Sequence, residues 1–255
     1  MRQKICGWFF VFLMTLAGWS AQGFGADIDI GTVTLATRDR PVEVQRFAVR
    51  GEGRRPAVIL LHGRQGLDLF RVFYQRTAAA IAAAGFDVYL FPYYDDDDIR
   101  QLKSADAAER RAYFNRRIGD WSALVGDAIG DILGRPTSSG RIGLIGFSQG
   151  GFLAVSVAGR DPRVSGLVVY YGGIPGLLKV EATHLPPLLE FHGDADRRVA
   201  IQQGRELTDW ARQLGGPAEM VVYPGAGHGF GRAATADAER RSIAFFKETL
   251  SDAKP

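Results

Sequence analysis

The chain has 255 residues, of which 46% are hydrophobic and 23% charged, with a formal net charge of +3. This balance is ordinary for a soluble globular protein and excludes a disordered chain or a multi-span membrane protein. So small a basic surplus gives no footing for a nucleic-acid partner, and a single cysteine, Cys6, excludes disulfides and a thiolate metal site.

Arg2 and Lys4 precede an apolar stretch over residues 5–19, which ends in the small and polar residues "SAQGFGAD". The apolar part is shorter than the ~20 residues of a spanning helix. Charged start, apolar middle and small-residue end together read as a secretory signal peptide over residues 1–25, cut after Gly23 or Gly25. Its removal takes Cys6, Arg2 and Lys4 with it, which lowers the net charge by two. The mature chain, residues 26–255, is expected as a single domain, periplasmic or secreted, without stable membrane association.

From Asp27 onward, "GTVTLAT" and "VEVQRFAV" flank "RDRP" and read as two strands around a turn. "AVILLHG" is a continuous apolar run of the kind buried on both faces of a parallel sheet. An alanine-rich helix over residues 70–84 follows, closed by Gly85. The alternation continues with strand "FDVYLFP", a helix over 115–133, strand "RIGLIGF", a helix after Ser148, and strands "GLVVYY" and "PLLEFHG". It ends with a helix over 201–214, strand "AEMVVYP" and a helix over 236–250. Strands separated by helices predict an α/β fold: a mostly parallel twisted sheet, antiparallel at its N-terminal end, with helices on both faces. Ligands in such sheets bind beyond the carboxyl ends of the strands.

Ser148 stands at such an end, in "GLIGFSQGG". A sharp strand-to-helix turn there would strain the serine backbone and leave no room for β-carbons at Gly146 and Gly150. It would also aim the Gln149 amide, at a helix N-terminus, toward a developing oxyanion. A serine at a glycine-rich turn also serves as a helix cap, so the nucleophile reading needs a base and an acid to orient it. Among four histidines, His62 and His192 precede glycines at strand ends, where a histidine braces a loop, and His184 sits in "EATHLPP". His228, in "YPGAGHGFG", has glycines on both sides after the last strand and is the candidate base. The loop after "LLEFHG" offers Asp194 and Asp196 as the acid. Asp95 to Asp98, a run of four, reads as a solvated loop or helix start.

Together "LLHGRQGL", "GFSQGG", "HGDADRRV" and "YPGAGHGF" resemble the dienelactone hydrolase family of α/β-hydrolases over essentially the whole mature chain. The resemblance implies that fold, selects Asp196 over Asp194, and implies the Arg64 backbone amide as second oxyanion donor beside that of Gln149. The name-giving enzymes use cysteine as nucleophile and a glutamate in the oxyanion-strand motif, where this chain has Ser148 and Gly63. The expectation is therefore a carboxylic-ester hydrolase with a Ser148, Asp196 and His228 triad acting on a small-molecule ester. A serine peptidase, an acyltransferase or an idle hydrolase-like binding protein are the alternatives on the same residues. Two loops, residues 91–117 and 170–187, are expected to select the substrate, with Tyr93, Tyr94 and Tyr171 lining the pocket. The aspartate run lacks the spaced ligands and glycine of a calcium loop, and neither metal nor cofactor is expected.

Overall fold

The computed structural model describes residues 27–251 other than 177 and 179–181. The signal peptide expected over residues 1–25 lies outside them. In chain order the strands are β1 (Ile28–Leu35), β2 (Val42–Val49), β3 (Arg55–Leu61), β4 (Asp87–Phe91), β5 (Ser138–Phe147), β6 (Val164–Tyr170), β7 (Leu188–Gly193) and β8 (Ala218–Tyr223). The helices are α1 (Arg71–Ala83), α2 (Asp96–Gln101), α3 (Ala107–Leu133), α4 (Gln149–Ala158), α5 (Ile201–Gln213) and α6 (Arg232–Thr249).

The strands form one sheet in the order β1-β2-β4-β3-β5-β6-β7-β8. β2 pairs antiparallel with both β1 and β4, and every other pairing is parallel. The mostly parallel α/β sheet with an antiparallel start, read from the strand and helix alternation, is therefore the one present. β3 shows why its sequence does not alternate in polarity. Val58 and Leu60 pack toward α1 and α6, Ile59 and Leu61 toward α3, α4 and α5, and all four are fully buried.

Two helix starts differ from expectation. α3 begins at Ala107, two turns before Asn115, because Asp106 caps it by accepting from the amides of Ala108 and Glu109. Its first turns are charged and exposed, so no apolar period marks them. α6 begins at Arg232 instead of residue 236.

The aspartate run does start a helix, α2, but it is not simply a solvated segment. Asp95 and Asp98 form a reciprocal capping box. Asp98 is wholly buried and accepts from Arg117 Nε at 3.0 Å, Trp121 Nε1 at 2.9 Å, the Tyr113 hydroxyl at 2.9 Å and the Asp95 amide at 2.9 Å. These donors outweigh the cost of burial and hold its carboxyl below the usual range. Asp98 thereby fastens α2 to α3, the elements that overhang the carboxyl ends of the central strands.

Asp98→Ala leaves Arg117 and the Trp121 indole without their acceptor, and should cost about 3 kcal/mol in urea unfolding. Because the folded carboxyl titrates below its unfolded value, its stabilisation is complete above about pH 4 and lost as pH falls through the lower, folded value. Unfolding midpoints of wild type and variant should therefore converge in acid.

Candidate active site

β5 ends in Phe147, and the chain turns into α4 at Ser148 with φ +54° and ψ −117°, a conformation costly for any residue but glycine. The flanking glycines permit it. A β-carbon on Gly146 would lie 2.1 Å from the Gly150 carbonyl oxygen, and one on Gly150 would lie 2.3 Å from that of Leu61. Ser148 caps no amide of α4. Its Oγ instead lies 2.9 Å from His228 Nε2.

His228 Nδ1 lies 2.8 Å from Asp196 Oδ2, and the other Asp196 oxygen accepts from the amides of Arg198 at 2.8 Å and Val199 at 3.0 Å. A carboxylate only accepts, so the shared proton sits on Nδ1 and the Nε2 lone pair faces the serine hydroxyl. Burial pushes the His228 pKa below 6.5, against the opposing pull of Asp196, with Arg198 and His192 adding to the depression. The ring is neutral at neutral pH. Asp194 has a different place: it is exposed and accepts from the Gly225 amide. The loops bearing Asp196 and His228 are locked by Gly193, where a β-carbon would meet the Ala226 carbonyl oxygen at 2.1 Å.

The other histidines brace. His62 is buried, stacks on Tyr93 with centroids 4.1 Å apart, and donates from Nδ1 to the Gly63 carbonyl at 2.8 Å. Burial lowers its pKa to about 4, so the ring stays neutral. His192 is buried between Glu190, 2.7 Å from Nδ1, and the Val199 carbonyl, 2.9 Å from Nε2. His184 lines neither of the cavities beside Ser148.

Two cavities meet at the serine. One of about 820 Å³ is lined by Arg64, Arg110, Arg111, Arg197 and Arg198 together with Ser148, Gln149 and His228, and both loops expected to select substrate contribute to it. Among the described residues no carboxylate lines it and none of these arginines forms an ion pair. Arg64 is held below the usual arginine range by burial and by the like charges of Arg110 and Arg198. The second cavity, about 300 Å³, has walls of Phe70, Phe73, Tyr74, Phe147, Tyr170, Tyr171 and Phe230.

The tyrosine expectation is corrected in part. Tyr171 lines the aromatic cavity, with its ring 4.6 Å from that of His228. Tyr93 and Tyr94 line neither cavity, because both are packed beneath the site. Tyr93 donates to the His62 carbonyl at 2.8 Å and Tyr94 to Gln149 Oε1 at 2.7 Å. They hold the two segments whose amides, at Arg64 and Gln149, donate to no acceptor among the described residues. Sequence reading missed Tyr74, whose hydroxyl accepts from the Gly63 amide at 2.9 Å, and the arginine cluster, whose members come from three separate segments.

The sequence pattern of the dienelactone hydrolase family matches residues 45–250. A protein of Oryza sativa subsp. japonica named a probable carboxylesterase is 36% identical over 36% of this chain, a stretch spanning only 42% of that protein's length. A Bradyrhizobium protein named a probable 2-oxo-3-(5-oxofuran-2-ylidene)propanoate lactonase is 27% identical over 80% of this chain and 82% of its own. The crystal structure of dienelactone hydrolase from Anabaena variabilis shares the fold, with a TM-score of 0.71, 21% identity, and coverage of 88% of this chain and 99% of that one.

Gly150→Ala would press a β-carbon into the backbone of β3, and should lower unfolding free energy by about 3 kcal/mol or more. Gly31→Ala, in the exposed edge strand β1 where a β-carbon meets nothing within 4 Å, should stay within about 0.5 kcal/mol in the same denaturation series.

Proposed function

The chain belongs to the dienelactone hydrolase family, and on that premise we propose that it hydrolyses a small-molecule carboxylic ester or lactone through an acyl-enzyme on Ser148, outside the cytoplasm. The observation that carries the reading is the unbroken chain from Asp196 Oδ2 through His228 to Ser148 Oγ, 2.8 and 2.9 Å long, at the junction of two cavities. The export part rests on the charged and apolar N-terminal segment.

His228 Nε2 takes the Ser148 proton as Oγ attacks the ester carbonyl, and Asp196 stabilises the resulting imidazolium. The Arg64 and Gln149 amides donate to the oxyanion, with the N-terminus of α4 adding its dipole. Collapse of the tetrahedral species expels the alcohol, which takes its proton from His228. Water, deprotonated by His228, then attacks the acyl-serine and releases the acid.

The five arginines without carboxylate partners favour a substrate carrying an anionic group, since an unneutralised cluster of like charges is stabilised by a bound anion. The Bradyrhizobium relative is named for a propanoate lactone, which agrees with this reading. The aromatic cavity suits the apolar part of the same molecule.

Incubation with a small fluorophosphonate should add one adduct to the intact mass of wild type and none to Ser148→Ala, and Ser148→Ala should lower kcat by roughly 10⁴ to 10⁶. Labelling should weaken only as pH falls below 6.5, because the depressed His228 pKa preserves the base form down to that point. Absence of labelling on a folded wild type would refute the nucleophile. Separately, mono(4-nitrophenyl) glutarate should exceed 4-nitrophenyl butyrate in kcat/KM by about tenfold at low salt. The ratio should shrink with ionic strength and in Arg110→Gln. Equal rates would remove the anionic substrate.

A further inference from the structure

Glu190 and His192 stand two residues apart on β7, and a strand sends such residues to the same face. That face is interior to the fold, and both side chains are completely buried. Two ionisable groups inside a central strand are costly unless they satisfy one another. The packing leaves no slack: a β-carbon on Gly204 of α5 would lie 2.8 Å from the Glu190 carboxylate.

The hydrogen-bond inventory around the ring fixes its protons. Nε2 faces the Val199 carbonyl at 2.9 Å, which only accepts, so Nε2 bears a proton. Nδ1 faces Glu190 Oε1 at 2.7 Å, so one further proton lies between nitrogen and carboxyl oxygen. It belongs to the ring if the surroundings favour a cation there. Burial opposes both charges and raises the Glu190 pKa, yet Glu190 at 2.7 Å and Asp196 Oδ2 at 3.7 Å from the ring nitrogens together raise that of His192. Glu190 from β7 and Asp196 from the following loop are the charges acting on the ring, and Asp196 in turn bonds His228 and the Arg198 amide.

We propose that Glu190 and His192 form a buried carboxylate–imidazolium pair, and that the His192 cation is a positioning residue that keeps Asp196 aimed at His228. Neither side chain lines a cavity or touches a reacting atom, and His192 reaches the lining residue Val199 only through its carbonyl. Its effect passes through Asp196 in two ways. The bond to the Val199 carbonyl fixes the turn whose amides, at Arg198 and Val199, hold Asp196 Oδ1. The positive ring beside Oδ2 draws on the same carboxylate that stabilises a protonated His228, and so favours the neutral base. This assignment rests on the proposed role of Asp196 and His228, but its protons are read without turnover.

The test is nitrogen-15 NMR of histidine-labelled protein, with His192 assigned among the four histidines by the signals lost in a Glu190→Gln/His192→Gln double variant. That variant leaves no unpaired buried charge. Both ring nitrogens of His192 should be protonated throughout about pH 5 to 8, while His228 titrates below 6.5. In the double variant His228 should titrate higher by about half a unit or more, since a nearby cation is gone. A singly protonated His192 in wild type at pH 7 overturns the ion pair. An unmoved His228 titration in a folded double variant overturns the positioning role and leaves a structural clamp. If the double variant does not fold, assignment through His184→Gln, His62→Gln and His228→Gln leaves the wild-type protonation state to decide. Doubly protonated His192 without fluorophosphonate labelling of Ser148 would refute the esterase reading and leave the ion pair standing.

Discussion

The site depends first on a steric constraint. Ser148 occupies a left-handed backbone region because β5 must turn into α4 with no residues to spare, and the turn closes only if Gly146, Gly150 and the end of β3 are in van der Waals contact. The strain is over-determined by its surroundings, which is how such conformations persist. Its product is a hydroxyl lifted off the sheet, with a helix N-terminus behind it and a free edge toward the loops that follow β7 and β8. Tyr171, the other non-glycine residue with positive φ, lies at the adjacent strand end, so backbone strain among the described residues is concentrated where the two cavities meet.

Charge is handled in two contrasting ways around that turn. Beneath it and beside it, ionisable groups are buried and neutralised: Asp98 among four donors, and Glu190 against His192. Above it, the arginine cavity carries like charges with no carboxylate among the described residues of its lining. The first arrangement stabilises and orients the scaffold. The second leaves like charges side by side, the feature on which the proposed anionic substrate rests. Asp98 links the two regions, because α3, which it fastens to α2, carries Arg110 and Arg111 at the cavity.

The aromatic residues divide between support and contact, and position along a strand end does not tell which. Tyr93 and Tyr94 follow β4 with their hydroxyls tied to the His62 carbonyl and to Gln149, so they support the segments proposed to hold the oxyanion from below. Tyr171, at the end of β6, faces the cavity and the His228 ring. The difference lies in which face each backbone segment turns toward α3, a matter of chain path that no local pattern records.

By itself the sequence determined the strand and helix alternation, the mostly parallel sheet with its antiparallel start, and Ser148 and His228 as residues to bring together with Asp194 or Asp196, while the family resemblance selected Asp196. These are legible because burial on both faces writes continuous apolar runs, and because a strained turn writes its glycines at fixed spacing. The early start of α3 was hidden, since solvated charged turns carry no apolar period and a capping aspartate reads like any loop residue. Only the tertiary structure decided that Asp98 is buried, that Tyr93 and Tyr94 support instead of line, that five arginines from three segments share one cavity, and that Glu190 faces His192 beneath Asp196. Each of these is a relation between elements distant in the chain, set by how helices pack on the sheet, and local spacing carries no record of such packing.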